Sequence, residues 1–151
     1  MKTIVVGTDG SPTAHKAVLD AAELALASGA HVHVVSAYRS ETSIRAMSAT
    51  AAVAGALPDG ASALSGVLAG DAEQTATNAA KELADGDVSV ESHAVPGDPA
   101  DALLDVARAV DADVIVVGSK GMTGAKRFVL GSVPNKVAHH ATCNVLIVYT
   151  S

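Results

Sequence analysis

A chain of 151 residues fits one domain, since single domains commonly run to about 100–200 residues. It is 49% apolar but only 2% aromatic, so its core must be built from Val, Ile, Leu and Ala. Sixteen Asp and Glu against ten Lys and Arg, a formal charge of −6, exclude a general nucleic-acid or membrane-surface binder, although local basic groups can still serve one phosphate site.

Thr3 to Val6 reads as a first buried strand, with Thr8-Asp9-Gly10 as the turn leaving it. The apolar run is too short for a signal-peptide core or a membrane span, so the expected compartment is the cytoplasm. Ser11 stands at an N-cap position with Pro12 at the first helical residue. Ala14, Ala17, Val18, Ala21, Leu24 and Ala25 then recur at helical spacing as far as Ser28-Gly29. His31 to Ala37 reads as a second strand. Its two histidines, His31 and His33, alternate with valines and have no third ligand at a metal-binding spacing nearby, so they read as a partly exposed strand face rather than a metal pair.

Between Arg39 and Gly70, Ala, Ser and Gly dominate. Pro58-Asp59-Gly60 reads as a turn, and the flanking alanine-rich runs as short helices or mobile chain. A longer helix is expected from about Ala72 to Leu83, ending at Asp85-Gly86. Val88 to Val95 alternates apolar with polar, as a half-exposed edge strand does. Gly97-Asp98-Pro99 repeats the cap-then-proline device, and Ala100, Leu103, Leu104, Ala107 and Val110 mark a helical face.

Val114 to Val117 is an unbroken β-branched run, the signature of a strand buried on both faces. Gly118, Gly121, Gly124 and Gly131 follow, and Ser132 begins a further helix in which Val133, Val137, Ala138 and Ala141 share a face. His139 and His140 in its last turn complement the helix dipole. A glycine loop that ends on a helix N-terminus brings bare N–H groups up to an anion. With Lys120, Lys126 and Arg127 in the same loop, the expected ligand carries phosphate. Cys143 reads as a small buried residue in a reducing compartment. Val145 to Tyr149 closes the chain as a fifth strand. Strands alternating with helices imply a parallel α/β sheet with helices on both faces, whose strand order periodicity leaves open.

Gly118-x-x-Gly121 followed after nine residues by Gly131-Ser132 resembles the nucleotide-binding signature of the universal stress protein family. Thr8-Asp9-Gly10-Ser11 and His140-Ala141-Thr142-Cys143-Asn144-Val145 are similar to two further segments of that family. The chain has no Walker P-loop and no dinucleotide G-x-G-x-x-G after its first strand. The resemblance implies one domain over 1–151, with a Rossmann-like sheet of the adenine nucleotide alpha hydrolase-like kind and strand order 3-2-1-4-5. Ligands in such sheets bind at the switch between strands one and four.

It further implies ATP as ligand, with Thr8, Asp9, Gly10 and Ala37 against adenine and ribose and Gly118 and Ser119 along the ribose. Gly121, Gly131, Ser132 and Val133 would hold the phosphates by main-chain N–H groups and the Ser132 hydroxyl. Lys120 and Arg127 would add charge-assisted contacts, and Asp9 could hold Mg²⁺ on the phosphates. AMP or cyclic AMP is one alternative ligand. A slow ATPase, or an enzyme phosphorylating itself on Ser119 or Ser132, is a second reading, and an empty-site interaction protein a third. No Ser-His-Asp, Cys-His or metal cluster spacing marks a catalytic site. By the same resemblance, Val145, Leu146, Ile147, Val148 and Tyr149 at a sheet edge pair with a second copy as a homodimer.

Overall fold

The computed structural model describes residues 1–50, 58–120 and 129–149. Ten elements follow in order: β1 (Thr3–Gly7), α1 (Pro12–Ser28), β2 (His31–Tyr38), α2 (Glu41–Thr50), α3 (Pro58–Asp85), β3 (Val90–Pro96), α4 (Pro99–Ala109), β4 (Val114–Gly118), α5 (Ser132–His140) and β5 (Asn144–Val148). The strands form one parallel sheet in the order β3-β2-β1-β4-β5. Alternation along the strands divides the core. Ile4, Val6, Val32, Val34, Val114 and Val116 pack with α1 and α3. Val5, Val35, Ile115 and Val117 pack with α4 and Val137 of α5. Each valine-rich run therefore serves two cores at once, which is why it shows no alternation in sequence. On α1 the buried positions are Ala17, Val18, Ala21 and Ala25, and the small alanine side chains let the helix lie close to the sheet.

Two helix starts follow the cap-then-proline device. The Ser11 hydroxyl accepts from Ala14 N–H at 3.2 Å, and the Asp98 carboxylate accepts from the N–H groups of Ala100 and Asp101 at 3.0 and 3.2 Å. Between β2 and β3 the structure corrects the sequence reading. Pro58 does not mark a turn: it is the first residue of α3, a position where a missing N–H costs nothing. The helix expected from Ala72 therefore begins fourteen residues earlier. Its buried side chains, Ala61, Ala72, Ala76 and Leu83, are mostly too small to produce a visible apolar stripe. Ahead of it, α2 begins where Ser40 accepts from Ser43 N–H at 3.3 Å.

The strand face of His31 and His33 is also more enclosed than expected. His33 is only 8% exposed, because β3 lies beside β2 with His33 level with Glu91 and Val35 level with His93. Burial, then the neighbouring His31 and His93, hold the His33 imidazole below its usual range, against the opposing pull of Glu91.

Asp113, just before β4, accepts the main-chain N–H groups of Lys2 and Thr3 at 2.6 and 3.0 Å. These two bonds hold its carboxyl below the ordinary carboxylate range. The resulting stability is complete above the unfolded pKa of about 3.9 and is lost as the pH falls through the lower folded value. Urea midpoints of wild type should thus fall more steeply than those of Asp113→Asn between pH 5 and the native pKa. Parallel curves would show that the N-terminal tie contributes nothing.

Candidate functional site

Beyond Val6 and Val116 the two central strands stop pairing with each other. Thr8 N–H donates instead to Val35 O of β2 at 2.9 Å, and Ser119 N–H to Val148 O of β5 at 2.8 Å. Each backbone turns toward its outer neighbour, so a crevice opens between the C-terminal ends of β1 and β4, at the point where the strand order reverses. It holds a cavity of about 190 Å³. A single trapped water needs only ~10–15 Å³, so this is a ligand-sized space and not a packing defect.

Val35, Val117 and Leu103 supply the apolar wall, and Thr8, Asp9, Lys120 and Ser132 the polar groups. Leu103 of α4 reaches this place because Gly7 has no side chain: a Cβ there would lie 3.0 Å from Leu103 Cδ1. The turn after β1 is built from its own residues. Asp9 Oδ1 accepts Ser11 N–H at 2.9 Å, Thr8 Oγ1 accepts Gly10 N–H at 3.2 Å, and Gly10 takes a φ of +77° that suits glycine.

The N-terminus of α5 differs from those of α1 and α4. Its cap residue, Gly131, offers no side-chain hydrogen bond, and the N–H groups of Ser132 and Val133 meet no acceptor among the described residues. Both residues line the cavity. Two unpaired donors and the positive end of the helix dipole therefore lie at one side of the crevice, with the Asp9 carboxylate among the polar groups of its wall. Such a site suits a molecule that carries an anion and also hydrogen-bond donors. Lys136 takes no part, since it ties α5 to α4 through Asp98 and Asp101 at 3.2 and 2.8 Å.

Of the residues expected at the site, Thr8, Asp9, Ala37, Gly118, Lys120, Gly131, Ser132 and Val133 line the cavity together. Gly10 and Ser119 do not. Gly10 is turned into the β1 turn, and Ser119 is only 4% exposed. Gly131 stands in the wall, but its N–H donates to Ser119 O at 2.9 Å. Its φ of −61° is open to any residue, so what marks the position is close approach: a Cβ would lie 3.4 Å from Ser119 O and 3.6 Å from Lys120 Cα. Gly121 and Arg127, with Gly124 and Lys126, lie outside the described residues. Sequence reasoning missed Gly7, Ala14, Val35, Pro99, Leu103, Val117 and Pro134. These are apolar, small or cap-adjacent residues that look like ordinary core until the strand order is known. Cys143 is partly buried, and burial pushes its thiol pKa up, which disfavours the thiolate form.

Comparison with known proteins agrees on one family. The universal stress protein family model matches residues 1–149. Universal stress protein Rv1636 of Mycobacterium tuberculosis is 36% identical over 155 residues, covering 99% of this chain and 97% of its own. A crystal structure of a universal stress protein in complex with cAMP is 33% identical with a TM-score of 0.68, covering 99% of this chain and 98% of the other. The universal stress protein from Archaeoglobus fulgidus in complex with dAMP is 26% identical with a TM-score of 0.65, covering 97% of both chains.

Proposed function

We propose, since this chain belongs to the universal stress protein family, that its crevice binds an adenine nucleotide and that the protein acts as a nucleotide-dependent binding or signalling module in the cytoplasm. The observation that carries this reading is the uncapped start of α5, whose Ser132 and Val133 N–H groups stand in the cavity wall. Adenine and ribose lie against Ala37, Thr8, Asp9 and Gly118. The phosphates meet the two N–H groups, the Ser132 hydroxyl and Lys120, with Gly121 and Arg127 as further contacts.

The glycine spacing favours ATP. A second reading, cyclic AMP or another monophosphate, is supported by the relatives bound to cAMP and dAMP. It is also supported by the gathering of the described main-chain donors at one helix end, enough for one phosphate group. Mass analysis of nucleotide released by denaturing the purified protein, followed by calorimetry with ATP, AMP and cyclic AMP, separates the two. Absence of binding by all three overturns the proposal.

Asp9 is the one carboxylate among the described lining residues. Mg²⁺ is commonly held by one or two carboxylates together with substrate phosphates, so Asp9 suits an ion that arrives on ATP. A carboxylate engaged by Mg²⁺ is not free to serve as the base that orients an attacking nucleophile in phosphoryl transfer, and no second carboxylate stands among the described lining residues. Phosphate release is therefore expected well below about 1 per second, and release at that rate would establish an enzyme. Burial of Ser119 disfavours it as a phosphoryl acceptor, leaving Ser132.

We further propose a homodimer through β5. Among the described residues this strand pairs with β4 alone, and Leu146 and Tyr149 are 39% and 59% exposed. Val148 O faces β4, where it accepts Ser119 N–H, so the alternate Ile147 directs its N–H to the open edge. Ile147→Pro removes that donor without breaking the β4–β5 ladder. Light scattering should give a dimer for wild type and a monomer for this variant, with nucleotide affinity retained; a monomeric wild type at high concentration contradicts the dimer.

A further inference from the structure

On the far side of the sheet from β5, the register of β2 with β3 gathers four side chains able to bind a metal. His31 and His33 project from the same face of β2, and β3 sets Glu91 level with His33 and His93 level with Val35. One donor atom from each of His31, His33 and Glu91 lies within 4.8 Å of the other two. His93 Nε2 is 2.9 Å from His33 Nδ1 and 3.9 Å from Glu91 Oε1, while His33 Nδ1 is 3.9 Å from Glu91 Oε2. Two bonds of ~2.0–2.1 Å at a tetrahedral angle place ligand atoms about 3.3 Å apart. The observed separations bracket that value, so shifts of a few tenths of an ångström bring three ligands onto one ion.

We propose that the β2–β3 edge carries a Zn²⁺ site formed by His31, His33, Glu91 and His93. Three imidazoles and one carboxylate suit a borderline divalent transition ion, whereas Mg²⁺ and Ca²⁺ prefer oxygen alone. His31 Nδ1 is engaged by Ser89 Oγ at 2.7 Å; with that nitrogen donating to the hydroxyl oxygen, Nε2 carries the lone pair for the ion, the arrangement usual in ligating histidines. The contact between His33 Nδ1 and His93 Nε2 holds one proton between two nitrogens. For both to bind the ion, the ring that carries this proton must move it to its other nitrogen, a tautomer shift with no change of charge. Side-chain exposure rises from 10% at His33 through 24% at His93 to 61% at Glu91, so an ion enters from the open side of β3.

The ion would cross-link an edge strand to its neighbour. None of the four ligands lines the nucleotide crevice, so the two sites can be tested separately. Full-length protein freed of metal should bind one equivalent of Co²⁺, with the visible absorption of a tetrahedral site, and Zn²⁺ should displace it. His93→Gln and the exposed Glu91→Gln should each weaken Co²⁺ binding by about tenfold or more, with nucleotide affinity unchanged as the measure of folding. A His139→Gln/His140→Gln double variant should titrate like wild type. No visible band with wild type, or one of undiminished affinity in both His93→Gln and Glu91→Gln, would overturn the site.

Discussion

Ser132→Pro is expected to fold like wild type and to bind nucleotide roughly 10²-fold more weakly or worse. Ser132 is the first residue of α5, where proline is well tolerated because its N–H has no partner in the helix. The preceding Gly131, at φ −61° and ψ 164°, already has the extended conformation that a following proline requires. The substitution therefore removes one main-chain donor and one hydroxyl while leaving the bonds from Gly131 N–H to Ser119 O and from Asn135 N–H to Gly131 O intact. Hydrogen bonds to charged groups contribute about 1.5–3 kcal/mol each, and two of them account for the loss. Ser132→Ala removes only the hydroxyl and should lose less. Calorimetry on the three proteins gives the order directly, and a proline variant that binds like wild type would move the phosphate away from α5.

The largest effect on stability is expected from Ile115→Ala. Ile115 lies on central strand β4, is fully buried, and packs in the core beneath α4 and α5. Removing three carbons there leaves a cavity, and such changes cost about 2–5 kcal/mol. A domain of this size has only ~5–15 kcal/mol in total. At ~2–4 °C per kcal/mol, the melting temperature should fall by about 5–20 °C. Nucleotide at a hundred times its Kd should restore about 2.7 kcal/mol through its preference for the folded state. A melting temperature that the ligand leaves unmoved in both proteins would argue against binding, and one that the substitution leaves unmoved would argue against this account of the core.

Much of this architecture could be read from residues whose physics is local. Ser11-Pro12 and Asp98-Pro99 carry their helix starts within two positions, and Val114 to Val117 has one reasonable fate. The first half of α3 was not legible, because Pro-Asp-Gly serves equally as a turn and as a helix start. The alanines it buries also add little to any apolar pattern. At the crevice, polar and glycine positions were visible in sequence, while Leu103 and Val35 were not, since a cavity wall and a core use the same residues. The His31, His33, Glu91 and His93 cluster was illegible for another reason. Its two pairs, one on each strand, lie about sixty residues apart along the chain, and the register between β2 and β3 makes them neighbours.

The bond between Gly131 N–H and Ser119 O fixes both ends of the chain segment that leads from β4 to α5. Doubling the length of a connection between two fixed ends costs only about 0.6 kcal/mol of closure entropy. Neither partner of this bond belongs to residues 121–128, so substitutions or insertions there are expected to leave the start of α5 in place. The crossover behaves as a cassette: exchanging it between relatives offers a way to retune ligand preference on an unaltered scaffold, and a foreign segment grafted between Ser119 and Gly131 would find its anchor already built.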